Sequence, residues 1–535
     1  MYVREDFTAE ERVVLSRFFT NIDQPVFALT NLPEVVKGAL FARYSRSPKS
    51  LRRLFLDEFY DQPDFPLEEL TAGADGDVVA TNRAEELYDR VFSQYGDDSV
   101  AQLGGAHIAC EQSSNILTKI LEWGRLAAYL EQSTRYIFYD QKLGGQYRYL
   151  TPPEVETGPL ADEYVTTMDW LFDEYSSLVH QCVPFYEEQF PRQEGDSKFI
   201  YNASIRAKAC DSARGLLPAA TLSNVGVFAT GQAFEQMLIR MNSHPLQEAR
   251  DYADMMLVEL RKVIPSFLKR VDIPDRGGAW SGYFEDNREA MEKIASGLGL
   301  EPDPINEVTL VDWDQDAEDK VVASALYAHV DVSDSQLGKV VAGMSSTDKA
   351  EVIKAYVGDR QNRRHKPGRG MERSFYRFDV LSDFGSFRDL QRHRMMTIDW
   401  QRLGVKHGYS TPPAIEEVGW TQRWDDAMGR MSELHDTIAD THGVDVAQYV
   451  VPFGYKLRYS MQFNVREAFH LLELRTAQQG HPDYRRVCQE MHNQIRDVAG
   501  HAALADAMTY VDHEHYDLER LEAERRAEQR RESQN

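Results

Sequence analysis

Apolar residues recur at helical spacing in two stretches that lie far apart in the chain. EVVKGALFARYSRS (34–47) and DKVVASALYAHVDVS (319–333) each predict an amphipathic helix. The two also match at one constant offset: Val35, Val36, Ala39, Leu40 and Ala42 correspond to Val321, Val322, Ala325, Leu326 and Ala328, and Phe41 to Tyr327. VTLVDW (308–313) and FYRFDVL (375–381) are short and rich in β-branched and aromatic residues, and they predict strands. FNVREAFHLLELRTAQQ (463–479) predicts a helix with Asn464 and Arg475 on one side and Arg466 and His470 on the other. Polar groups on opposite faces of an apolar helix suggest a helix held between two partners or ligands. Helical segments dominate, so the fold class is α+β.

The repeat extends beyond one helix. YRYLTPPEV (147–155) pairs with HGYSTPPAIEEV (407–418), each a proline-marked loop leading into a long helical stretch. ARGLLP (213–218) pairs with AQYVVP (447–452), and RMNSHPLQEAR (240–250) with RTAQQGHPDYRR (475–486), both opening a helix after His-Pro. The pairs keep their order along the chain, which points to tandem duplication. The Gly-, Pro- and Asp-rich segment DIPDRGGAWSGYFEDNREAMEKIASGLGLEPDPINEV is the expected boundary, with the switch near Pro304 and domains at 1–303 and 304–535. The charged end, DLERLEAERRAEQRRESQN, reads as a solvated helical tail.

Composition narrows the partners. The chain has 535 residues, 60 Lys+Arg against 86 Asp+Glu, and a formal charge of −26, a balance that argues against nucleic-acid binding. No uncharged run is long enough for a membrane span, and the charged N-terminus has no signal-like apolar core, so a cytoplasmic protein is expected. Four cysteines without a CxxC pair exclude a disulfide framework. No metal site is read: His513 and His515 stand at a poor ligand spacing and HExxH is absent. Neither a GxGxxG nor a GxxxxGK[ST] loop is present.

Two clusters carry candidate chemistry. FRDLQRHRMMTIDWQRLG (387–404) sets Arg392, His393 and Arg394 side by side, three potential cations that suit phosphate or an electron-rich ring edge. The corresponding first-half segment contains EQSTRY, with Glu131, Ser133 and Arg135. Glu131 and Arg135 stand at i,i+4 and would support a helix if they merely paired. By residue type alone, both clusters suit an anion site or an ion-pair network.

Taken together, these motifs resemble the flavin-dependent thymidylate synthases, whose signature is RHRxxSxNExSxRY. RHRMMTIDWQRLG keeps the opening RHR, with Thr397 for Ser and Asp399 for Asn, then departs at Trp400, Arg402 and Gly404. The first half reverses this: Trp123 and Gly124 replace Arg-His, whereas Arg125, Glu131, Ser133, Arg135 and Tyr136 fit. Downstream, the first half keeps Ala213, Arg214 and Pro218 of an ARxxLP stretch, and the second keeps Asn464, Arg466, His470 and Arg475. Glu372 stands where the family has a flavin-contacting glutamate.

The resemblance implies two such domains in tandem, each helix-rich with an antiparallel sheet. It implies FAD held by Arg392, His393, Arg394, Glu372, Asn464, Arg466 and His470, and dUMP or a related pyrimidine nucleotide held by Glu131, Ser133, Arg135, Arg214 and Arg475, with Arg475 and Arg392 catalytic. The co-substrates would be NADPH and 5,10-methylenetetrahydrofolate, and the reaction the reductive methylation of dUMP to dTMP. Each half has lost groups that the other retains, so the expected site is a composite. One chain then equals two family subunits, and a homodimer imitates the family's tetramer. The other readings are a catalytically silent flavin- or nucleotide-binding paralogue and a flavoenzyme acting on a different pyrimidine.

Overall fold

The computed structural model describes residues 5–25, 27–32, 34–44, 47–60, 102–194, 196–301, 306–516 and 521. The switch point at Pro304 and almost all of the charged tail lie outside them, as do the side chains of Val35, Ala39 and Ala42. The chain forms two compact units with interleaved segments. Unit one takes Met1–Glu111, Leu126–Glu131 and Asn224–Leu300; unit two takes Gln112–Arg125, Gln132–Ser223 and Glu301–Asn535. Unit two therefore draws on both sequence halves. Among the described residues no helix is long and apolar enough to cross a membrane.

The described residues form a helix-rich fold with two sheets. A three-stranded sheet runs in the order β1 (Gly105–Ser114), β3 (Leu222–Thr230), β2 (Ala127–Glu131), with β2 antiparallel to β3. A four-stranded antiparallel sheet runs in the order β4 (Val308–Trp313), β5 (Phe375–Asp383), β7 (Lys456–Asn464), β6 (Met396–Trp400). The strands predicted at 308–313 and 375–381 are β4 and the greater part of β5. β5 and β7 alternate buried and exposed positions, with Tyr376, Phe378, Val380, Tyr459 and Met461 turned inward.

The predicted helices at 34–47 and 319–333 form as Glu34–Tyr44 and Ala317–Tyr327; the second stops six residues short of the predicted end, at Ala328. Val36, Leu40, Val321 and Val322 are fully buried, as the apolar spacing requires. Both TPP loops lead into long helices, Ala161–Gln189 and Thr421–His442. The segment expected as a linker is different: Ala279–Ser296 is helical. Most of its Gly and Pro residues stand on either side of the helix, Pro274, Gly277 and Gly278 before it and Gly297, Gly299, Pro302 and Pro304 after it, so composition averaged over the segment conceals a regular middle.

The third repeat pair meets itself inside unit two. Pro218 faces Pro452 in an antiparallel bridge. Around them Ala219 N–H donates to the Val451 carbonyl and Phe453 N–H to the Leu217 carbonyl, each at 2.9 Å. Proline has no N–H, so its neighbours carry the ladder. Residues at equivalent places in the two copies thus face each other across a local two-fold. The long helices add to the contact: Trp420 Nε1–H donates to Gln181 Oε1 at 2.5 Å and Arg423 pairs with Glu174 at 2.8 Å.

Candidate functional site

The site grows from two places where a strand gives way to a helix. β7 ends at Asn464, whose Oδ1 accepts from Glu467 N–H at 2.9 Å and caps helix Val465–Arg475. β6 begins beside that point, with Met396 opposite Phe463. The RHR segment immediately precedes β6, so the register brings His393 onto the first turns of the helix. β5 ends at Asp383, which caps helix Phe384–Leu390 by accepting from Ser386 N–H at 2.9 Å. That helix carries Asp389.

His393 is buried and has two partners. Its Nε2 accepts from Arg475 Nε–H at 2.9 Å, and its Nδ1 lies 3.0 Å from Glu467 Oε1. Arg475 can only donate, so the ring proton is assigned to Nδ1 and is given to Glu467. Burial pushes the imidazole pKa down to about 4, and Arg475 adds to the shift. The three consecutive cations read at 392–394 are therefore corrected: the middle one is a neutral imidazole. His470 Nδ1 approaches the same carboxylate at 3.2 Å, and its ring centroid is 4.9 Å from that of His393. Ligand atoms of His393, Glu467 and His470 lie within 4.8 Å of one another, close enough to suit a metal ion. With both His393 nitrogens engaged and a guanidinium alongside, the trio works instead as a hydrogen-bond relay that orients Arg475.

The first-half residues enter the same unit. Arg135 lies in a turn after β2, where Ser133 Oγ accepts its N–H at 3.2 Å. Glu131 and Arg135 do not pair on a helix: Glu131 ends β2 in unit one, opposite Val225. Arg135 instead forks onto Asp211, with Nε–Oδ1 and Nη2–Oδ2 both 2.7 Å. Burial alone would raise the Asp211 carboxyl, but Arg135 outweighs it and holds the group well below the ordinary range. Asp211 stands near the end of helix Lys198–Ala213, and Arg214 follows in the next turn. The sequence reading missed Asp211, Asp389, Glu467 and Tyr484. Each is a polar or aromatic position close to a cation already singled out, or opposite one in space.

Cations from both halves converge on Asp389. Arg475 Nη1 lies 3.4 Å from Oδ1 and Arg214 Nη1 3.7 Å from Oδ2. Burial would raise this carboxyl, but Arg475, Arg214, Arg135 and Arg392 bring it down to about 2. Tyr484 links the same groups: its hydroxyl accepts from Arg135 Nη1 at 3.1 Å, and its ring lies under the guanidiniums of Arg135 and Arg475, 5.9 and 5.5 Å away. Arg214 is buried, and among the described residues its Nη2 has no hydrogen-bond acceptor. Arg392 is exposed and Arg394 half-exposed. A cavity of about 240 Å³ adjoins Asp211, with Lys208, Ser212, His481 and Tyr516 in its wall.

The other sequence-read residues sit at the edge of this cluster. Arg466 donates to the Pro367 carbonyl at 3.0 Å and to Glu372 at 3.2 Å. Arg369 and Arg466 hold the Glu372 carboxyl below its ordinary range. Arg125 Nη2 donates to Thr397 Oγ1 at 3.0 Å, joining the motif remnants of the two halves. Cys182 is buried, its thiol pKa pushed up by desolvation to about 12, as a structural cysteine requires.

Known proteins resemble this chain along most of its length. The family model for thymidylate synthase complementing protein matches residues 56–266 and again 309–500. A UPF0159 protein of Chlamydia muridarum (strain MoPn / Nigg) is 38% identical over 527 residues, covering 97% of this chain and 98% of that one. The flavin-dependent thymidylate synthase of Clostridium tetani (strain Massachusetts / E88) is 27% identical over 200 residues, covering 36% of this chain and 73% of that protein. A solved UMP/dUMP methylase, PolB from Streptomyces cacaoi bound with 5-Br dUMP, aligns at a TM-score of 0.30 and 17% identity, covering 38% of this chain and 93% of that one, a likeness too slight to bear on ligands. The chain belongs to the thymidylate synthase complementing protein family and carries its domain twice.

Proposed function

We propose that this chain is a flavin-dependent, thymidylate-synthase-like enzyme. It would methylate dUMP to dTMP reductively, using 5,10-methylenetetrahydrofolate and NADPH, with residues 1–303 and 304–535 as its two family copies. The observation that carries the reading is that Arg214 from one half and Arg475 from the other both meet the Asp389 carboxylate, with Arg135 of the first half joined to them through Tyr484. Asp211 holds Arg135 in the same cluster, and guanidiniums gathered this closely suit a planar anionic ligand. Family membership and the similarity to a flavin-dependent thymidylate synthase support the same reading.

The residues fit an anionic, ring-bearing cofactor. Arg392 and Arg394 reach the surface, Asn464 spends only its Oδ1 on the cap, and Arg214 Nη2 has no acceptor among the described residues. FAD would be held by Arg392, Arg394, Glu372, Asn464, Arg466 and His470, with His393, both ring nitrogens engaged, acting through Arg475. When bound, the flavin supplies the reducing equivalents that NADPH delivers. The protein's own tasks are binding and orientation. Arg135 and Arg214 would neutralise the nucleotide phosphate, and the Ser133 hydroxyl would donate a hydrogen bond to it. Neutral His393 keeps its proton on Nδ1 and accepts from Arg475, fixing the plane of the guanidinium that would polarise the pyrimidine. The role assigned to Glu131 rests on the resemblance alone. No cysteine nucleophile is used.

Purified protein loaded with FAD tests this reading. It should stay yellow through gel filtration, bleach anaerobically with NADPH, and turn over dUMP with methylenetetrahydrofolate. A colourless protein that takes up no flavin would overturn the proposal. Bleaching without turnover of dUMP would instead place the chemistry on another pyrimidine.

A further inference from the structure

Helix Ala279–Ser296 of unit one has no buried residue along its 18 positions. It is tied down near its start, where Ser281 Oγ–H donates to the Ile239 carbonyl at 3.1 Å and Arg288 Nη1 to the Ser243 carbonyl at 2.6 Å. Most of its apolar side chains nevertheless face outward: Trp280 is 41% exposed, Tyr283 60%, Met291 60% and Ile294 59%, while Phe284 is half-buried. At about 100° per residue, Trp280, Phe284, Asn287, Met291 and Ile294 fall within roughly 80° of one another. Glu285, Asp286, Glu289, Glu292 and Lys293 lie on the other side. The stripe steps by four, three, four and three residues, the spacing of a coiled-coil seam. The helix lies between the two segments matched by the family model.

The seam is nearly palindromic about Asn287. An antiparallel two-fold pairing sets Trp280 opposite Ile294 and Phe284 opposite Met291, each bulky aromatic against a slimmer side chain, and brings Asn287 beside its own copy. The carboxamide offers both donor and acceptor, so two of them facing across a dyad satisfy each other. An unrelated apolar partner would leave that amide buried without a partner. We infer that helix Ala279–Ser296 is a self-association surface, pairing antiparallel with the same helix of a second copy of this chain across Asn287. This inference is independent of the proposed catalytic function. The helix is roughly 27 Å long. A seam of that length buries on the order of 1,000 Å², the lower edge of specific interfaces, which implies a dissociation constant in the micromolar range. The chain carries a charge of −26, so like-charge repulsion opposes pairing and added salt should tighten it.

Cysteine cross-linking of the full-length chain tests the geometry directly, because the four native cysteines are buried. Asn287→Cys should form a disulfide-linked dimer under mild oxidation at roughly 50 μM, a concentration set by the micromolar expectation. Glu289→Cys, on the opposite side of the helix, should not. Sedimentation velocity of Met291→Glu/Ile294→Glu should show association weakened at least about 30-fold, with an unchanged circular dichroism spectrum, because both side chains are solvent-exposed. Three outcomes would each overturn the proposal. The wild-type chain could stay monomeric at that concentration. The double variant could associate as the wild type does. Asn287→Cys could cross-link no better than Glu289→Cys, which would mean that any dimer uses another face or that something other than a second copy covers the seam.

Discussion

Arg214 comes from the first half of the chain and Asp389 from the second, yet Nη1 of one lies 3.7 Å from Oδ2 of the other. Asp389 also receives Arg475 at 3.4 Å. Removing the carboxylate leaves both guanidiniums partly or fully buried without their counter-ion. Asp389→Ala should therefore lower stability by roughly 3–5 kcal/mol, the usual cost of breaking a buried pair. Asp389→Asn should cost less, because it preserves shape and one acceptor. Urea denaturation checks both.

The state of His393 predicts a pH dependence. Folded, its pKa is about 4; unfolded, it returns to about 6.5. Between those values the unfolded ring binds a proton that the folded one refuses. Stability is full above pH 6.5 and falls as the pH drops through this window, by up to roughly 3 kcal/mol from this group. His481, whose imidazole burial and then Arg214 push below its ordinary range, acts in the same direction. His393→Gln should flatten the slope of melting temperature against pH between 4 and 6.5; an unchanged slope would refute the assignment.

Ligand binding should separate the two sets of cations. Arg392→Ala should weaken FAD binding, and Arg135→Ala chiefly nucleotide binding, each by roughly 1.5–3 kcal/mol, about ten- to hundred-fold in affinity. Titration calorimetry with each ligand on each variant reads this out. Normal binding of both ligands by both variants would show that the residue assignment is wrong.

Gly215 follows Arg214 in a place that admits no side chain. A Cβ there would stand 2.6 Å from Cη2 of Trp424, a ring with no exposure. Gly215→Ala should cost about 1–3 kcal/mol through overpacking. Adding Trp424→Phe should make the two changes less costly together than their sum, a coupling that a thermal-unfolding double-mutant cycle measures.

Asn464 is expected to contribute to stability as well as to the site. It caps helix Val465–Arg475, and Asn464→Ala should cost about 1 kcal/mol, whereas Asn464→Asp should hold the cap. A drop in FAD affinity in the Asp variant, with stability kept, would separate the amide's ligand role from its capping role.

The sequence by itself determined the duplication, the helix-rich fold class, the strands β4 and β5 and the helix that follows Asn464, because periodicity, turn chemistry and motif spacing are local properties of a chain. It also marked the cations. Only the tertiary structure decided which carboxylates those cations meet, since Asp211 and Asp389 act through space on arginines far from them in the chain, 76 residues away for Arg135 and 86 for Arg475. Glu131 and Arg135 show the limit plainly: a spacing that would suit a helix falls instead on a strand end and a turn, where strand pairing prevails over local charge. His393 shows it again. Its letter suggests a third cation, but burial beside Arg475 makes it neutral, and burial depends on neighbours that no stretch of sequence displays. The facing of Pro218 by Pro452 is likewise a fact of packing, for a repeat in the sequence does not say that its copies will touch.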